Sequence, residues 1–127
     1  MNDCPFCDVP EGRILRQNKH AILFLDLYPV NPGHALVVPN RHVASPLNLY
    51  EEELEDMIIL ADIYTNVMKD RGADGFNIGF NVGIAAGQTV MHAHMHIIPR
   101  YRNDQSDPRG GIRRIFPEKA AYWNPIP

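Results

Sequence analysis

The sequence has 127 residues, 45% of them hydrophobic, and a formal net charge of −3, as expected of one compact domain. The negative charge argues against a general nucleic-acid-binding protein, and no apolar run approaches the roughly 20 residues of a membrane-spanning helix. The chain has only two cysteines and no signal-peptide pattern, so we expect a cytoplasmic protein that folds without disulfides.

Short apolar runs separated by turn residues predict an α+β fold. The runs at residues 20–26 and 34–38 flank a stretch rich in proline, asparagine and glycine. Strands joined by so short a loop most simply pair as an antiparallel hairpin, with the first strand central in the sheet. Two further strands are predicted at residues 76–82 and 91–100.

One long helix is predicted over about residues 48–71. Its apolar residues recur at three- and four-residue spacing, so one face can pack on the sheet: Leu54, Met57, Ile58, Ala61, Tyr64 and Met68. Asn48 and Glu51 have the spacing of a capping box, and Gly72 follows the last turn. Acidic residues crowd the first turns, where we interpret them as stabilising the helix dipole and not as a metal site.

Residues 103–127 are predicted to form an extended C-terminal tail. From Arg100 onward the chain has six basic and three acidic residues, so this region is locally basic. Such a patch could attract a compact polyanion such as a nucleotide phosphate, or it could be a merely solvated surface. Charge alone does not decide between the two.

Three histidines alternate along the last predicted strand, at His92, His94 and His96. Successive strand residues point to opposite faces, so these side chains share one face at intervals of about 6–7 Å, and the apolar residues between them share the other. The row could hold a nucleophile with assisting neighbours, or it could be a three-histidine metal site. Spacing alone leaves both interpretations open.

The residues just before the histidines favour phosphate chemistry. Asn81, Gln88 and Thr89 supply amide and hydroxyl groups on a backbone that includes Gly83 and Gly87. Such donors suit phosphate oxygens better than a metal ion. Near the start of the chain, a Cys-x-x-Cys pair could be a redox motif or half a zinc site, and no predicted helix follows it to support thioredoxin-like chemistry.

Residues 81–100 resemble the signature of the histidine triad (HIT) family, in which three histidines alternate with apolar residues. Further agreement in order and spacing comes from residues 4–7, 24–26, 31–39 and 41–43. The resemblance implies one α+β domain over residues 1–127, with an antiparallel sheet of about five strands, one long helix packed on it, and pairing into a homodimer.

By this resemblance, His94 is the nucleophile that takes the α-phosphoryl group of a purine nucleotide and then passes the nucleotidyl group to water. The first and third histidines assist it, and His34 orients the triad. The residues implied at the phosphate and the leaving group are His96, Gln88, Asn81 and Thr89. Asp26 would accept hydrogen bonds from the ribose, and Phe24 and Leu27 would line the base pocket.

Bacterial-type members of the family often bind a structural zinc ion. The ligands implied here are Cys4, Cys7, His42 and His92, and two sulfurs with two imidazoles make a closed tetrahedral set. The chemistry itself would need no cofactor. No nucleic-acid polymer or membrane is expected as a partner.

Residues 88–90 (Gln-Thr-Val) and 97–100 (Ile-Ile-Pro-Arg) resemble most the family's dinucleoside polyphosphate hydrolases, which are like the fragile histidine triad protein. Diadenosine tetraphosphate and adenylated amines would nevertheless pass through the same histidine intermediate, so both remain candidate substrates. Two other hypotheses stay open. One is a slow or inactive nucleotide-binding regulator, and the other is a metal-dependent hydrolase that uses the three histidines as ligands.

Overall fold

Five antiparallel strands form one sheet in the computed structural model, which describes residues 3–123. The strands are β1 (Ile14–Gln17), β2 (Ala21–Leu25), β3 (Ala35–Pro39), β4 (Gly75–Gly79) and β5 (Met95–Arg100), in the spatial order β1-β2-β3-β5-β4. The predicted hairpin is confirmed, because β2 pairs antiparallel with β3 along its whole length. The centre of the sheet is β3, and β2 lies next to it. No helix of the described residues is long and apolar enough to cross a membrane.

Two predicted strands are shorter than expected. β4 ends at Gly79, and β5 begins only at Met95, so His92 and His94 precede the strand. The backbone before β5 has a different partner, since the N–H of Ala93 donates to the carbonyl of Val43 at 2.7 Å. The loop after β3 thus pairs with the segment before β5 at this one position, where no strand is formed.

The helix α1 (Glu51–Asp70) begins three residues later than predicted. Asn48 belongs instead to a short 3-10 helix (Pro46–Asn48), so the proposed cap from Asn48 was wrong. The N-cap is Tyr50, whose N–H donates to Oε1 of Glu53 at 2.8 Å. The same oxygen accepts a 2.7 Å hydrogen bond from Arg41, which explains why Glu53 is buried.

The inner face of α1 packs against the sheet through Met57, Leu60, Ala61, Tyr64 and Met68. Ile58, which we expected on this face, is 57% exposed. Each residue advances about 100° around a helix, so Ile58 points about 100° away from buried Met57 and lies outside the face that packs on the sheet. Ile59 and Val67 are exposed as well.

One row of side chains crosses the other face of the sheet, which we call the outer face. The register pairs Phe24 with Leu36, Leu36 with His96, and His96 with Gly79. Opposite residues in an antiparallel pair share a face. Phe6 packs over the β1–β3 half of this face, and the C-terminal region lies over the β4–β5 half. His96 therefore lies between two covered halves.

The described part of the C-terminal region has two short 3-10 helices, Gly111–Ile115 and Pro117–Lys119. Asp104 fixes its start, because its carboxylate binds Arg100 at 2.8 and 2.9 Å and accepts from Asn31 at 2.9 Å. Arg113 and Arg114 donate to backbone carbonyls of the same region. These two arginines thus hold the fold of the region itself.

Candidate active site

His94 has its ring held by the backbone of its own segment. Its Nδ1 lies 2.8 Å from the carbonyl oxygen of His92. A carbonyl can only accept, so Nδ1 carries the proton, and Nε2 of the neutral ring keeps a lone pair. The ring is buried, with Phe6 and His96 beside it at centroid distances of 4.9 and 5.1 Å.

A second chain of hydrogen bonds fixes His96. The N–H of Val30 donates to Nδ1 of His34 at 3.1 Å, so the proton of neutral His34 is on Nε2. That Nε2 lies 2.9 Å from Nδ1 of His96, whose own proton is therefore on Nε2. Adjacent rings thus differ: His94 carries its proton on Nδ1, and His96 carries its proton on Nε2.

Burial keeps this part of the site uncharged. Desolvation lowers the pKa of His96 to about 4, and neighbouring His94 and His34 add to the shift. Desolvation also lowers the pKa of His34, against the opposing effect of Asp26. Both rings are therefore neutral at pH 7, as the hydrogen-bond assignment requires.

The predicted phosphate-binding residues differ in their surroundings. Asn81 lines a cleft together with His34 and His96, and Thr89 is exposed. The amide of Gln88 is buried and donates to the carbonyls of Ala44 and Val90 at 2.8 and 3.0 Å. Its Oε1 accepts from the N–H of Gly83 at 2.9 Å. Gln88 thus holds together the loop that leads to the histidines.

The residues expected around ribose and base lie on the β2 side of His96. Phe24 is buried below Phe6, with ring centroids 5.7 Å apart, and Leu27 is exposed. One carboxylate oxygen of Asp26 accepts from the N–H of Tyr28 at 2.8 Å, while the other lies 3.4 Å from Nε2 of His34. Asp26 therefore shapes its turn and also faces the histidines.

Cys4, Cys7, His42 and His92 come together as a cluster that can hold a metal ion. The two Nδ1 atoms are 3.2 Å apart, and the sulfur-to-nitrogen distances are 3.4 Å for Cys4 to His92, 3.2 Å for Cys7 to His42 and 3.5 Å for Cys7 to His92. A tetrahedral zinc ion with ordinary bond lengths needs about 3.4 Å between two nitrogens and about 3.6 Å between nitrogen and sulfur. These four distances are close to the values for zinc, and all four ligand atoms lie within 4.8 Å of one another.

The surroundings of His92 support the same fit. Its Nε2 lies 2.7 Å from the carbonyl oxygen of Pro39, so Nε2 carries the proton and Nδ1 presents a lone pair to the cluster. Burial lowers the pKa of His92, which keeps the ring in the neutral form that binds metals. Because His92 faces the cysteines and His96 faces His34, the three triad histidines do not form one three-histidine metal site.

A cleft of about 670 Å³ begins at His34 and His96 and follows the outer face of β4 and β5. We call it the β4–β5 cleft. Its floor includes Asn77 and Ile98, and the C-terminal region forms its roof. His94 is not among the lining residues, although its ring adjoins that of His96. No local pattern indicates this cleft, because residues 30–34 and 77–81 come together with residues 96–115 only in the folded chain.

A sequence model of the HIT domain matches residues 9–103 of the chain. The chain belongs to the HIT family. An uncharacterized HIT-like protein of Methanocaldococcus jannaschii is 40% identical over 105 residues, covering 80% of this chain and 81% of the relative. A Mycobacterium tuberculosis protein named AP-4-A phosphorylase is 35% identical over 107 residues, covering 79% of this chain but only 55% of the relative.

Solved structures of HIT proteins share the fold described above. A zinc-bound histidine triad family protein from Mycobacterium smegmatis is 32% identical, with a TM-score of 0.73 over 83% of this chain and 80% of its own. The expected α+β fold, with a five-stranded antiparallel sheet and one long helix, is thereby confirmed. The described cluster of two cysteines and two histidines is compatible with a metal ion in this chain also.

Proposed function

We propose that this HIT protein is a nucleotide hydrolase that transfers a nucleoside monophosphate to His94 and then to water. The observation that carries the proposal is the hydrogen bonding of two adjacent rings: Nδ1 of His94 faces a carbonyl oxygen, whereas Nδ1 of His96 faces Nε2 of His34. In the reactive form His94 then presents a free lone pair on Nε2, and His96, with ring centroids 5.1 Å apart, presents an N–H. A nucleophile beside a donor is the arrangement that phosphoryl transfer needs.

The reaction has two balanced steps. In the first, Nε2 of His94 forms a bond to the α-phosphorus, and the bond from phosphorus to the leaving group breaks. The leaving atom takes that electron pair and a proton from water. In the second step a water oxygen bonds to phosphorus, the phosphorus–nitrogen bond breaks, its electron pair returns to Nε2, and the water releases a proton.

The other residues position the substrate. The Nε2–H of His96 donates to a non-bridging phosphate oxygen, where negative charge increases during the attack. Asn81 and Thr89 bind further phosphate oxygens, and Gln88 holds their loop. On the β2 side, Asp26 accepts from the ribose hydroxyls, and Phe24 and Leu27 contact a purine base. The substrates are nucleoside polyphosphates, such as diadenosine tetraphosphate, or adenylated amines.

Zinc in the cluster of Cys4, Cys7, His42 and His92 is proposed to be structural. Its four protein ligands leave no open position for a substrate. When bound, zinc supplies a cross-link between the N-terminal segment and the histidine segment. That cross-link holds Phe6 against the ring of His94, since Phe6 lies between Cys4 and Cys7 in the chain. The metal thereby positions the nucleophile without taking part in the reaction.

A homodimer is proposed through α1 and the edge strand β4. The exposed apolar residues Ile58, Ile59 and Val67 on the outside of α1 support this, together with half-exposed Ile78 on β4. Sedimentation of the protein tests it, with twice the chain mass expected.

The stereochemistry at phosphorus tests the proposed function. Hydrolysis of an adenosine 5′-phosphoramidothioate that is chiral at the α-phosphorus, carried out in ¹⁸O water, should proceed with net retention, because two in-line displacements each invert the centre. Inversion would show direct attack by water and would contradict the proposal. Steady release of adenosine 5′-phosphorothioate in the same assay separates an enzyme from a binding protein without turnover.

A further inference from the structure

A turn near the start of the chain brings Cys4 and Cys7 together. The N–H of Cys7 donates to the carbonyl of Cys4 at 3.2 Å, and the end Cα atoms of such a turn lie within about 7 Å of each other. A disulfide joins residues whose Cα atoms are roughly 4.4–6.8 Å apart. Both side chains are half-buried, so a small oxidant can reach them. The backbone of this turn therefore suits a disulfide between its two cysteines.

The two sulfur atoms cannot bind a metal ion and form a disulfide at the same time. Cys4 and Cys7 supply two of the four ligand atoms of the cluster, and His42 and His92 supply the others. Zinc binds a cysteine as the thiolate, whereas a disulfide sulfur carries no negative charge. After oxidation only the two imidazoles would remain as ligands. A disulfide would therefore release the zinc ion that the intact cluster can hold.

Phe6 connects this turn to the proposed nucleophile. Its ring centroid lies 4.9 Å from that of His94 and 5.7 Å from that of Phe24. Residues 3–9 lie outside every helix and strand, and the cluster and the packing of Phe6 and Val9 attach them to the outer face. A segment outside the regular elements opens at a lower cost in free energy than the strands do, and a metal cross-link raises that cost. Loss of the metal would therefore let Phe6 leave the ring of His94.

His92 gives the cluster a second connection to the nucleophile. Its Nδ1 lies 3.4 Å from the sulfur of Cys4 and 3.5 Å from that of Cys7. Its carbonyl oxygen accepts from Nδ1 of His94 at 2.8 Å, which leaves Nε2 of His94 for the attack. The state of the two cysteines thus bears on both the packing and the orientation of the reacting ring.

We propose that Cys4 and Cys7 are a site of reversible oxidation. Hydrogen peroxide, or an organic hydroperoxide, converts the pair into a disulfide, which releases zinc, frees Phe6 and stops nucleotidyl transfer to His94. A small thiol reduces the disulfide and restores the metal site. The inference rests on the proposed function, because the step that the disulfide controls is the attack by His94.

The oxidation has two balanced steps. The thiolate of one cysteine attacks a peroxide oxygen, the O–O bond breaks, and hydroxide leaves with its electron pair, which yields a sulfenic acid. The thiolate of the other cysteine attacks the sulfenic sulfur, the S–O bond breaks, and a second hydroxide leaves as the S–S bond forms. Two protons convert the hydroxide ions to water. The two sulfurs together lose two electrons, and the peroxide gains them.

The test treats zinc-loaded protein with hydrogen peroxide in the absence of nucleotide and follows three quantities. Intact mass should show the loss of two hydrogen atoms relative to the reduced, metal-free chain. A colorimetric chelator should detect the release of about one zinc ion per chain at the same rate. Adenylyl transfer from adenosine 5′-phosphoramidate to His94 should fall roughly 10- to 100-fold. Dithiothreitol with added zinc should restore all three values.

The double variant Cys4→Asp/Cys7→Asp is the matched control. Carboxylates can replace thiolates as zinc ligands, but they cannot form a disulfide. The variant keeps the five methionines of wild type, so it also controls for oxidation elsewhere in the chain. Peroxide should leave its zinc content and its transfer rate at their values before treatment.

A chelator tests the role of the metal without any substitution. Zinc removed from reduced wild type should lower transfer to His94 by the same factor as peroxide does, with no change in the mass of the chain. Unchanged transfer after this removal would overturn control through the metal.

Three results of the peroxide experiment would overturn the inference. One is a disulfide that forms while zinc and transfer to His94 are retained. Another is a gain of oxygen atoms at the cysteines in place of the loss of two hydrogen atoms. The third is an equal loss of transfer in wild type and the double variant. Reduced, zinc-loaded wild type that never adenylylates His94 contradicts the proposed function instead, and disulfide formation with zinc release then still decides the oxidation site.

Discussion

Nε2 of His34 lies 2.9 Å from Nδ1 of His96, and this contact determines which nitrogen of His96 carries its proton. The proton of His34 is itself positioned by the backbone, because the N–H of Val30 donates to Nδ1 of His34 and leaves the proton on Nε2. A loop amide thus fixes the donor at the phosphate through two rings. His34 acts as a positioning residue in this account, since it works through His96.

Replacing His34 should therefore slow the chemistry more than it weakens binding. In His34→Leu nothing holds the proton of His96 on Nε2, so we expect kcat to fall about 10- to 100-fold with little change in KM. His34→Gln can still donate from its amide and should recover much of kcat. Steady-state kinetics check both variants, and equal losses in the two would contradict the relay.

The lowered pKa of His96 should make stability depend on pH. Above pH 6.5 the ring is neutral in the folded and the unfolded chain, so it contributes no pH dependence. As the pH falls from 6.5 towards 4, the unfolded chain takes up the proton first, and the free energy of unfolding decreases until the folded ring also titrates at about pH 4.

The groups facing the ring are Asp26, His34 and His94, and all three remain in His96→Gln. Between pH 7 and pH 5 wild type should lose up to about 2 kcal/mol more than His96→Gln. Urea unfolding of both proteins at the two pH values measures this difference. Parallel losses would mean that the ring titrates normally in the fold.

Variants of Gln88 and Thr89 should separate a residue that holds the loop from a residue that contacts the substrate. Gln88→Ala leaves the N–H of Gly83 and the carbonyls of Ala44 and Val90 without their partner, so the free energy of unfolding should fall by about 1–3 kcal/mol. Activity should fall with it. Thr89→Ala, next to it but exposed, should lower activity without this loss of stability. Thermal melts and turnover of the two variants decide, and an unchanged melt in Gln88→Ala would contradict the holding role.

Local pattern was sufficient for parts of this molecule. The alternation predicted that the residues between the histidines would share the other face, and Met95 and Ile97 do pack in the core beneath α1. Short apolar runs predicted the hairpin of β2 and β3. The start of α1 was misplaced because Pro46 begins a separate 3-10 helix, and the partner that buries Glu53 is Arg41, 12 residues away. Contacts of this kind depend on tertiary packing, which periodicity does not encode.

In the site as well, the residue types could be predicted from the sequence, whereas their distances and contacts could not. The ligand types at the metal cluster could be named from the family resemblance, but their mutual distances depend on a fold that brings Cys4 to His92 across 88 positions. Likewise, the backbone carbonyl of Ala44 that binds Gln88 has no sequence signal, because every residue has a carbonyl. The charge of the basic C-terminal region left its role open, and in the structure two of its arginines, Arg113 and Arg114, bind the region's own carbonyls.

Zinc should be required for stability but not at the moment of reaction. Metal analysis of the purified protein should give about one zinc per chain, and Cys7→Ser should lose the metal and melt at a lower temperature. Asp8→Ser, beside the cluster but not part of it, is the control and should keep both. A metal-free protein that melts like wild type would contradict the structural role.

Intact-mass spectrometry tests the central claim most directly. Wild type and His94→Ala are quenched within milliseconds of mixing with adenosine 5′-phosphoramidate, and peptide mapping locates any added mass. We predict one adenylyl group on His94 of wild type, formed and consumed at rates that account for turnover, and none on the variant. Release of nucleoside monophosphate at an undiminished rate by His94→Ala, with no adduct in either protein, would contradict nucleotidyl transfer through this residue.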